Sequence, residues 1–525
     1  MILEVSDWSS KSVHKSDVLV IGSGAAGTSI ALGLQKLGVS IIVTEGGGRL
    51  YTEKSQECYE GESSGIELPY GLKGSRLRFY GGSTNCWGGM CGELNEDDFK
   101  KRDWIPDSGW PINKGDLLPY YKKAAEFLGI NYSSVKNPEE VDKFKRFNGL
   151  ESQSLVHTKK QNFQNVFQSK FKNEKNMDLF LNANFLNFSR VSSADKVDYI
   201  EIGSFNGKKS KIHAKFFVLA CGGIENPRIL LNSAEVGRSA FGSVHDNLGR
   251  YFCDHPIAPC ATVIDLKGKS KNFPYNESKN YINDGKSLVI PYYRIPSSVQ
   301  HKYGLLNSTL KFQEQEDEIS SSAFYAWRLK NLITGKGDHK FHVKNLVDIA
   351  SDPYGILKGI ISKNSSNSGE GGKRIAMRFQ IEQAPLRSNK VSLVSDKDSL
   401  GLNRVKLHWG FSELEIKTVE TSVSYVASLM NYRKKSTLML DKHLLERPSK
   451  LPIDLRGGQH HSGTTRMSID QKTGVVDKDL KVHGTQNLFV CGSSVFPTNG
   501  WVNPTFTIIA LGLRLSEHLA RVIQK

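Results

Sequence analysis

Short, continuous apolar runs recur along this chain, each bounded by glycine or polar residues. These runs are residues 17–21, 39–43, 212–220 and 488–490. Runs of this kind are typical of buried parallel strands. Helical patterns follow at 28–37 and from Pro227 through Leu231, and a longer one closes the chain at about 505–523. Strands that alternate with helices in this way predict an α/β fold with a parallel sheet.

A second pattern occupies the middle of the chain. Apolar and polar residues alternate at 374–381 and 405–409, and similar strand-like runs occur within 256–300. Alternation with a period of two residues predicts antiparallel strands that expose one face to water. Residues 413–433 have the spacing of an amphipathic helix that covers such a sheet.

The two patterns predict two domains, for which 525 residues are long enough. We predict a Rossmann-like dinucleotide-binding domain of the α/β class and a second domain built on an antiparallel sheet. The first is predicted to be discontinuous, and the second to fill the gaps. The segments are 15–110, 180–255 and 450–525 for the first domain, and 111–179 and 256–449 for the second. Within the second, 301–361 is interpreted as a lid, an oligomer contact or a membrane-facing insertion, and the Ser/Gly/Asn-rich residues 362–373 as a flexible loop.

The first apolar run leads directly into Gly22-Ser23-Gly24-Ala25-Ala26-Gly27, a G-x-G-x-x-G sequence that opens the helical pattern. Gly22 permits a tight turn, Gly24 lets the backbone approach a pyrophosphate, and Gly27 lets helix and strand pack closely. Glu45 lies eighteen residues beyond Gly27, where a carboxylate accepts hydrogen bonds from ribose hydroxyls. An ordinary glycine-rich turn is the alternative, but the flanking strand, helix and acidic residue favour a dinucleotide site. Because Glu45 is acidic, FAD or NAD is preferred over NADP.

Charge and cysteine content narrow the class of protein further. The formal net charge is +16, which permits contact with nucleic acid or an anionic surface, yet no nucleic-acid-binding motif is present. We therefore predict a solvated basic surface and no nucleic-acid partner, with peripheral membrane contact as the alternative. The seven cysteines form no C-x-x-C pair, so neither a disulfide framework nor a metal site is predicted. With no signal sequence or long apolar segment visible, the sequence predicts a cytoplasmic protein.

Two further segments carry residues suited to chemistry. Glycine pairs flank Ser83 and Trp87 in residues 80–89, which predicts backbone lying close to a flat or anionic ligand. Near the C-terminus, His460 opens an H-x-x-G-T-x-R-M sequence, and Asn503 follows 43 residues later in an N-P-T sequence. A histidine is the natural group to accept a hydroxyl proton near neutral pH, and an asparagine amide can orient the oxygen.

With these motifs in this order, the chain resembles the glucose–methanol–choline (GMC) oxidoreductases, the FAD-dependent alcohol oxidases and dehydrogenases. The resemblance extends from residue 17 to residue 522. It rests on Gly22, Gly24 and Gly27 with Glu45, on Gly81-Gly82-Ser83-Thr84, on Ala220 to Arg228, on Asn247-Leu248-Gly249-Arg250 with Asp254-His255-Pro256, and on the H-x-x-G-T-x-R-M and N-P-T sequences.

The resemblance implies FAD as the cofactor and assigns site residues by position. His460 matches the catalytic base of the family and Asn503 its partner, whereas His461 falls on a variable position. Residues 81–87 are expected along the flavin, and the C-terminal residues at its pyrimidine end. The expected cofactor-binding residues are Gly22, Gly24, Ala25, Ala26, Gly27, Glu45, Gly81, Gly82, Ser83, Asn85, Cys86, Trp87, Ala220, Gly492, Ser493, Pro504 and Thr505.

One position departs from the sugar-oxidising members similar to pyranose oxidase. There a histidine after the Ser-Thr pair attaches the flavin covalently, whereas this chain has Asn85, followed by Cys86. We therefore expect noncovalent FAD, with a linkage to Cys86 as the alternative.

The motif spelling and Asn503 favour the sugar-oxidising branch, which includes fructose, gluconate and pyranose enzymes. The resulting hypothesis is oxidation of a sugar or glycoside CH–OH group to a ketone, by proton abstraction and hydride transfer to flavin N5. Oxygen or a separate electron acceptor would complete the cycle. The alternatives are a sterol or fatty-alcohol oxidase at membranes and a non-oxidative flavin-dependent lyase.

Overall fold

The structure is a computed structural model of the 525-residue chain. It describes residues 1–7, 13–141, 144–190, 195–234, 240–264, 282–283, 285, 287–314, 374–431, 437–440 and 458–524. The predicted loop at 362–373 and most of the 301–361 segment lie outside the described residues.

The strands follow one another from the N-terminus to residue 490. They are β1 (Ile2–Glu4), β2 (Val13–Ile21), β3 (Ile41–Thr44), β4 (Gly61–Gly65), β5 (Met90–Cys91), β6 (Glu151–His157), β7 (Met177–Leu181), β8 (Asn184–Arg190), β9 (Val197–Gly203), β10 (Lys209–Leu219), β11 (Ile257–Ile264), β12 (Ile282–Asn283), β13 (Leu288–Arg294), β14 (Ser308–Glu314), β15 (Arg374–Ile381), β16 (Lys390–Lys397), β17 (Asn403–Trp409), β18 (Thr437–Leu440) and β19 (Leu488–Val490).

The α-helices lie between these strands and at the C-terminus. They are α1 (Ala25–Gln35), α2 (Glu53–Gln56), α3 (Gly71–Gly74), α4 (Glu96–Phe99), α5 (Lys114–Leu128), α6 (Tyr132–Lys136), α7 (Phe163–Asn173), α8 (Gly222–Leu231), α9 (Ser297–Tyr303), α10 (Glu413–Asn431) and α11 (Thr505–Gln524).

The first sheet has a parallel core. Its order is β1-β7-β3-β2-β10, with β19 pairing parallel to the end of β10 and the antiparallel strands β9 and β8 completing one side. The four predicted apolar runs form β2, β3, β10 and β19, in which residues 18–21, 41–44, 217–219 and 488–490 are buried. Parallel strands of this kind are covered on both faces, which explains why their sequences lack alternation.

Helices α1 and α11 pack closely against each other beside this sheet. A Cβ on Gly33 of α1 would lie 2.3 Å from the Ser516 Oγ, and one on Gly512 of α11 would lie 2.2 Å from the Ser29 Oγ. The absence of a side chain at these two glycines lets the helix backbones approach. This contact places the start of α11 next to the start of α1.

The second sheet is antiparallel, as predicted. Its order is β18-β11-β15-β14-β13-β6-β5, and β12 pairs with β13. The amphipathic helix predicted at 413–433 is α10, whose Val419, Val423 and Val426 pack with Phe379 of β15 in one apolar cluster. Strands β16, β17 and β4 form a smaller third sheet.

The helix predicted to start at Pro227 begins five residues earlier, at Gly222. Gly222 has a φ of 86°, so the chain turns sharply out of β10 and enters α8 at once. The α/β class is confirmed, while the exact division into two domains stays a prediction. None of the helices that the structure describes combines the length and apolar character needed to span a bilayer.

Candidate functional site

A cavity of about 370 Å³ opens at the carboxyl ends of the parallel strands. Its wall is built from the turns that follow β2, β3 and β10, and from residues just after β19. Open α/β sheets bind their ligands at this edge, because the connecting turns and helix N-termini converge there.

Most of the predicted site residues line this one cavity, although they come from distant parts of the sequence. Those that line it are Gly22, Gly24, Ala25, Ala26, Glu45, Gly82, Ser83, Cys86, Trp87, Ala220, His460, Gly492, Ser493, Asn503, Pro504 and Thr505. Gly27, Gly81 and Asn85 do not line it, and their contacts show that they support the wall from behind.

The three glycines of the first turn have three different surroundings. A Cβ on Gly27 would lie 1.8 Å from the Gly22 carbonyl oxygen, so only glycine lets α1 pack on the turn. Gly22 has a φ of 105°, which residues with side chains rarely adopt. Gly24 is the N-cap of α1, and a Cβ there would meet nothing within 4 Å. That open space lies where a phosphate would approach the helix N-terminus.

Ser23 joins three of the predicted motifs. Its Oγ donates to the Glu45 carboxylate (2.7 Å) and accepts from the Gly81 N–H (3.0 Å). Glu45 also accepts from the backbone N–H groups of Ser23 (3.2 Å) and Gly47 (3.1 Å). The acidic residue at the end of β3 is therefore held in place from both sides. Sequence reasoning missed Ser23, although it lies inside the glycine motif.

Asn85 and Trp87 are oriented by backbone carbonyls. Asn85 Nδ2 donates to the Tyr80 carbonyl (2.8 Å), which turns the amide away from the cavity. Trp87 lines the cavity, and its Nε1 donates to the Gln161 carbonyl (2.7 Å). The indole plane is thus fixed, as a flat ligand beside it would require.

A charged cluster, of which Arg76 and Glu225 line the cavity, was not among the predicted site residues. Arg76 donates to Glu225 (2.8 Å), and Glu225 also accepts from Arg228, which in turn donates to Asp398 (2.7 Å). Burial opposes ionisation of Glu225, but the guanidinium groups of Arg228 and Arg76 hold its pKa below the ordinary value. Glu225 and Arg228 lie within the motif at 220–228, and this motif was the feature of the sequence that could have identified them as site residues.

His460 is held by a second segment that contains Asp254 and His255. The Asp254 carboxylate accepts from the His460 backbone N–H (2.8 Å), and the Nδ1 atoms of His255 and His460 are 2.8 Å apart. Burial, and then the neighbouring rings of His255 and His461, lower the pKa of His460 well below its usual value. His460 is therefore neutral near pH 7, as a proton acceptor must be.

His461 and Asn503 complete this end of the cavity. Ser493 Oγ donates to the His461 carbonyl (2.6 Å), and the His461 ring packs against Phe252. The Asn503 side chain is in contact with Gln380, whose Nε2 lies 3.3 Å from Asn503 Oδ1. Asn503 directly precedes Pro504 and α11, so the positive end of the α11 dipole points toward the cavity.

Comparison with known proteins agrees with this architecture. Residues 385–512 match the family model for GMC oxidoreductase. The chain is 23% identical to 2-methyl-1,2-propanediol dehydrogenase of Mycolicibacterium austroafricanum over 97% of its own length and 96% of that protein. It is 32% identical to C-glycoside 3-oxidase of Microbacterium trichothecenolyticum, over 24% of this chain and 23% of that one.

The fold also matches a solved formate oxidase variant from Aspergillus oryzae RIB40. The TM-score is 0.57 at 15% identity, covering 98% of this chain and 100% of the other. The match at 385–512 makes the C-terminal part of this chain similar in sequence to the GMC oxidoreductases. The chain is an FAD-dependent oxidoreductase.

The residues at the cavity fit this cofactor. The open space at Gly24 would take the pyrophosphate at the N-terminus of α1, Glu45 would accept from the ribose, and Trp87 would offer a flat surface to the flavin. FAD bound there supplies the acceptor for a hydride from substrate. The protein would supply position, charge and, through His460, a proton acceptor.

Replacing Glu45 by alanine should weaken FAD binding by about 1–3 kcal/mol, because it removes the proposed acceptor of the ribose hydroxyls, which the N–H groups of Ser23 and Gly47 hold in place. Titration of the apoprotein with FAD, followed by flavin fluorescence, measures the change. Glu45→Gln is the matched control, since it keeps one acceptor oxygen and should lose less. Unchanged affinity in the alanine variant would mean that Glu45 does not serve the cofactor.

Acid precipitation should release FAD into the supernatant, because Asn85 has no group for covalent attachment and is turned toward Tyr80. The absorbance spectra of supernatant and pellet measure this directly. A yellow pellet from the wild-type protein would contradict noncovalent binding. If the pellet of Cys86→Ser were then colourless, the linkage would be to Cys86.

Proposed function

We propose that this enzyme oxidises a secondary alcohol of a sugar or glycoside to a ketone. The observation that carries the proposal is that His460 and Asn503 line the same cavity as the dinucleotide-binding turn. His460 would accept the hydroxyl proton, and Asn503 would hold the oxygen by a hydrogen bond. The carbon-bound hydrogen would then face the cofactor.

The names of several similar proteins support a carbohydrate substrate. Besides the C-glycoside 3-oxidase, the chain is 42% identical to pyranose 2-oxidase of Tricholoma matsutake over 59 residues, 11% of this chain and 10% of that one. The chain is also 22% identical to the long-chain-alcohol oxidase FAO4A of Arabidopsis thaliana, over 60% of this chain and 38% of that one. This relative supports the alternative of a long-chain alcohol substrate. A cytoplasmic location and peripheral membrane contact stay predictions.

Anaerobic mixing with a substrate panel tests the proposal. The panel contains free sugars, O- and C-glycosides, short diols, sterols and long-chain alcohols. A sugar or glycoside should bleach the flavin with one equivalent of substrate oxidised. For a glycoside substrate, reduction of the product with borodeuteride and mass spectrometry should then locate one deuterium at a ring carbon.

The alternatives give different results in the same experiment. Bleaching by only sterols or long-chain alcohols would replace the carbohydrate proposal by the membrane-substrate one. Product formation without any flavin bleaching would indicate the non-oxidative lyase. Repeating the successful reaction in air, and then with a quinone or dye, identifies the electron acceptor.

A further inference from the structure

The His255 ring lies between His460 and the backbone of residues 499–500. Its Nδ1 is 2.8 Å from His460 Nδ1, and its Nε2 is 2.9 Å from the Gly500 carbonyl oxygen and 3.2 Å from the Asn499 carbonyl oxygen. His255 has no exposed surface. Each nitrogen of its ring therefore has protein partners only.

The carbonyl oxygens decide which nitrogen of His255 carries hydrogen. A carbonyl oxygen only accepts, so Nε2 of His255 must be the donor. Burial lowers the pKa of His255 to about 4, so near neutral pH the ring has one proton and Nδ1 is an acceptor. The short contact between the two rings then requires His460 Nδ1 to donate. A neutral His460 is left with its lone pair on Nε2.

The hydrogen bonds of Gln380 determine, in the same way, how the Asn503 amide is oriented. Gln380 Nε2 donates to the Trp501 carbonyl (2.5 Å), which fixes the orientation of the Gln380 amide. The atom of Asn503 that faces Gln380 Nε2, at 3.3 Å, must accept and is therefore Oδ1. The NH₂ group of Asn503 is left free to donate. His460 thus offers an acceptor and Asn503 offers a donor. This combination suits a substrate hydroxyl group whose proton is removed while its oxygen accepts a hydrogen bond.

We infer that His255 and Gln380 are positioning residues, which hold His460 as its Nδ1–H tautomer and Asn503 with its NH₂ group toward the substrate. The inference rests on the proposed function for the roles of His460 and Asn503. Both chains of hydrogen bonds start from backbone carbonyls of residues 499–501. One short loop therefore sets the hydrogen-bonding pattern of both members of the pair.

The placement of the His460 backbone does not depend on the His255 imidazole. The backbone groups of Cys253 and Ser462 exchange two hydrogen bonds of 3.1 and 2.9 Å, and Asp254 holds the His460 N–H. Substitution of the His255 side chain can therefore change the tautomer of His460 while the two segments stay together.

Nitrogen NMR of the FAD-bound protein labelled with ¹⁵N-histidine tests the tautomer without any substrate. The signals of His460 are those missing from the spectrum of His460→Ala. We expect a protonated Nδ1 and an unprotonated Nε2 near neutral pH. The opposite tautomer, or a doubly protonated ring, would overturn the inference. This result stands whether or not the proposed substrate class is right.

Two variants of His255 test the consequence for the reaction, with the panel compound that reduces the flavin fastest. His255→Leu removes the acceptor and should lower the flavin reduction rate about 10–100-fold, the loss that removal of an outer hydrogen-bond partner of a histidine causes at metal sites. His255→Asn offers an amide oxygen near the former Nδ1 and should recover most of the rate. A wild-type rate in a folded His255→Leu protein, or equal loss in both variants, would overturn the role of His255. If the leucine variant does not fold, the asparagine variant alone tests the role of His255. A normal flavin reduction rate without the NMR signature of the Nδ1–H tautomer would overturn that role. A normal rate together with that signature would support it.

A double-mutant cycle tests Gln380. Gln380→Met removes the donor at similar size and should slow flavin reduction in the wild-type background. In the Asn503→Ala background it should have no further effect, because a residue that acts through Asn503 loses its influence with it. Equal losses in both backgrounds would show a merely structural role.

Discussion

Replacing His460 by alanine should lower the rate of anaerobic flavin reduction about 10²–10⁴-fold, which is the usual contribution of a positioned general base. FAD binding and folding should persist, because the backbone of residue 460 is held by Asp254. Stopped-flow mixing with a working substrate measures the rate independently of the electron acceptor. Because the pKa of His460 is lowered, the wild-type rate should stay on its plateau below the ordinary pKa of histidine and fall only at more acidic pH.

His461→Ala and Asn503→Ala are the matched controls for this prediction. His461 occupies the variable position of the motif, and its variant should lose much less activity. The rate of Asn503→Ala should lie between the rates of these two variants, since Asn503→Ala no longer orients the substrate oxygen but keeps His460 as the proton acceptor. A large loss of the flavin reduction rate in His461→Ala, together with a nearly normal rate in His460→Ala, would assign the base to His461 and contradict the motif assignment.

Gly27→Ala should destabilise the protein by about 3 kcal/mol or more, which is the upper range for overpacking. The new Cβ would lie 1.8 Å from the Gly22 carbonyl oxygen and 3.0 Å from its carbon, and these backbone atoms cannot move aside as the end of a flexible side chain could. Because the displaced turn is also the predicted pyrophosphate cradle, FAD should be lost as well. Chemical denaturation of the apoprotein and its FAD content measure the two effects.

Gly24→Ala is the matched comparison, because it adds the same methyl group only three residues away in the same glycine motif. Nothing in the protein lies within 4 Å of its Cβ, and the backbone φ of −71° suits alanine. The apoprotein should therefore keep its stability while FAD affinity falls. Equal loss of apoprotein stability in both variants would contradict the assignment of the space at Gly24 to the cofactor.

Much of the fold was predictable because its signals are local. The alternating run at 374–381 is β15 at Arg374–Ile381, and the helix predicted at about 505–523 is α11 at Thr505–Gln524. Periodicity within one segment reflects which face of it is buried, so it can be detected without a partner. The start of α8 was missed by five residues, because the turn at Gly222 depends on its left-handed φ rather than on an apolar pattern.

The sequence by itself determined the parallel and antiparallel patterns, the glycine turn, the family resemblance and the candidate pair His460 and Asn503. Only the tertiary structure decided how that pair is held. The contact between His255 and His460 spans 205 residues, and that between Gln380 and Asn503 spans 123. No spacing along the chain encodes such contacts, because they form only when the antiparallel sheet is brought next to the carboxyl edge of the parallel sheet. The direction of each hydrogen bond then follows from backbone carbonyls, which can only accept.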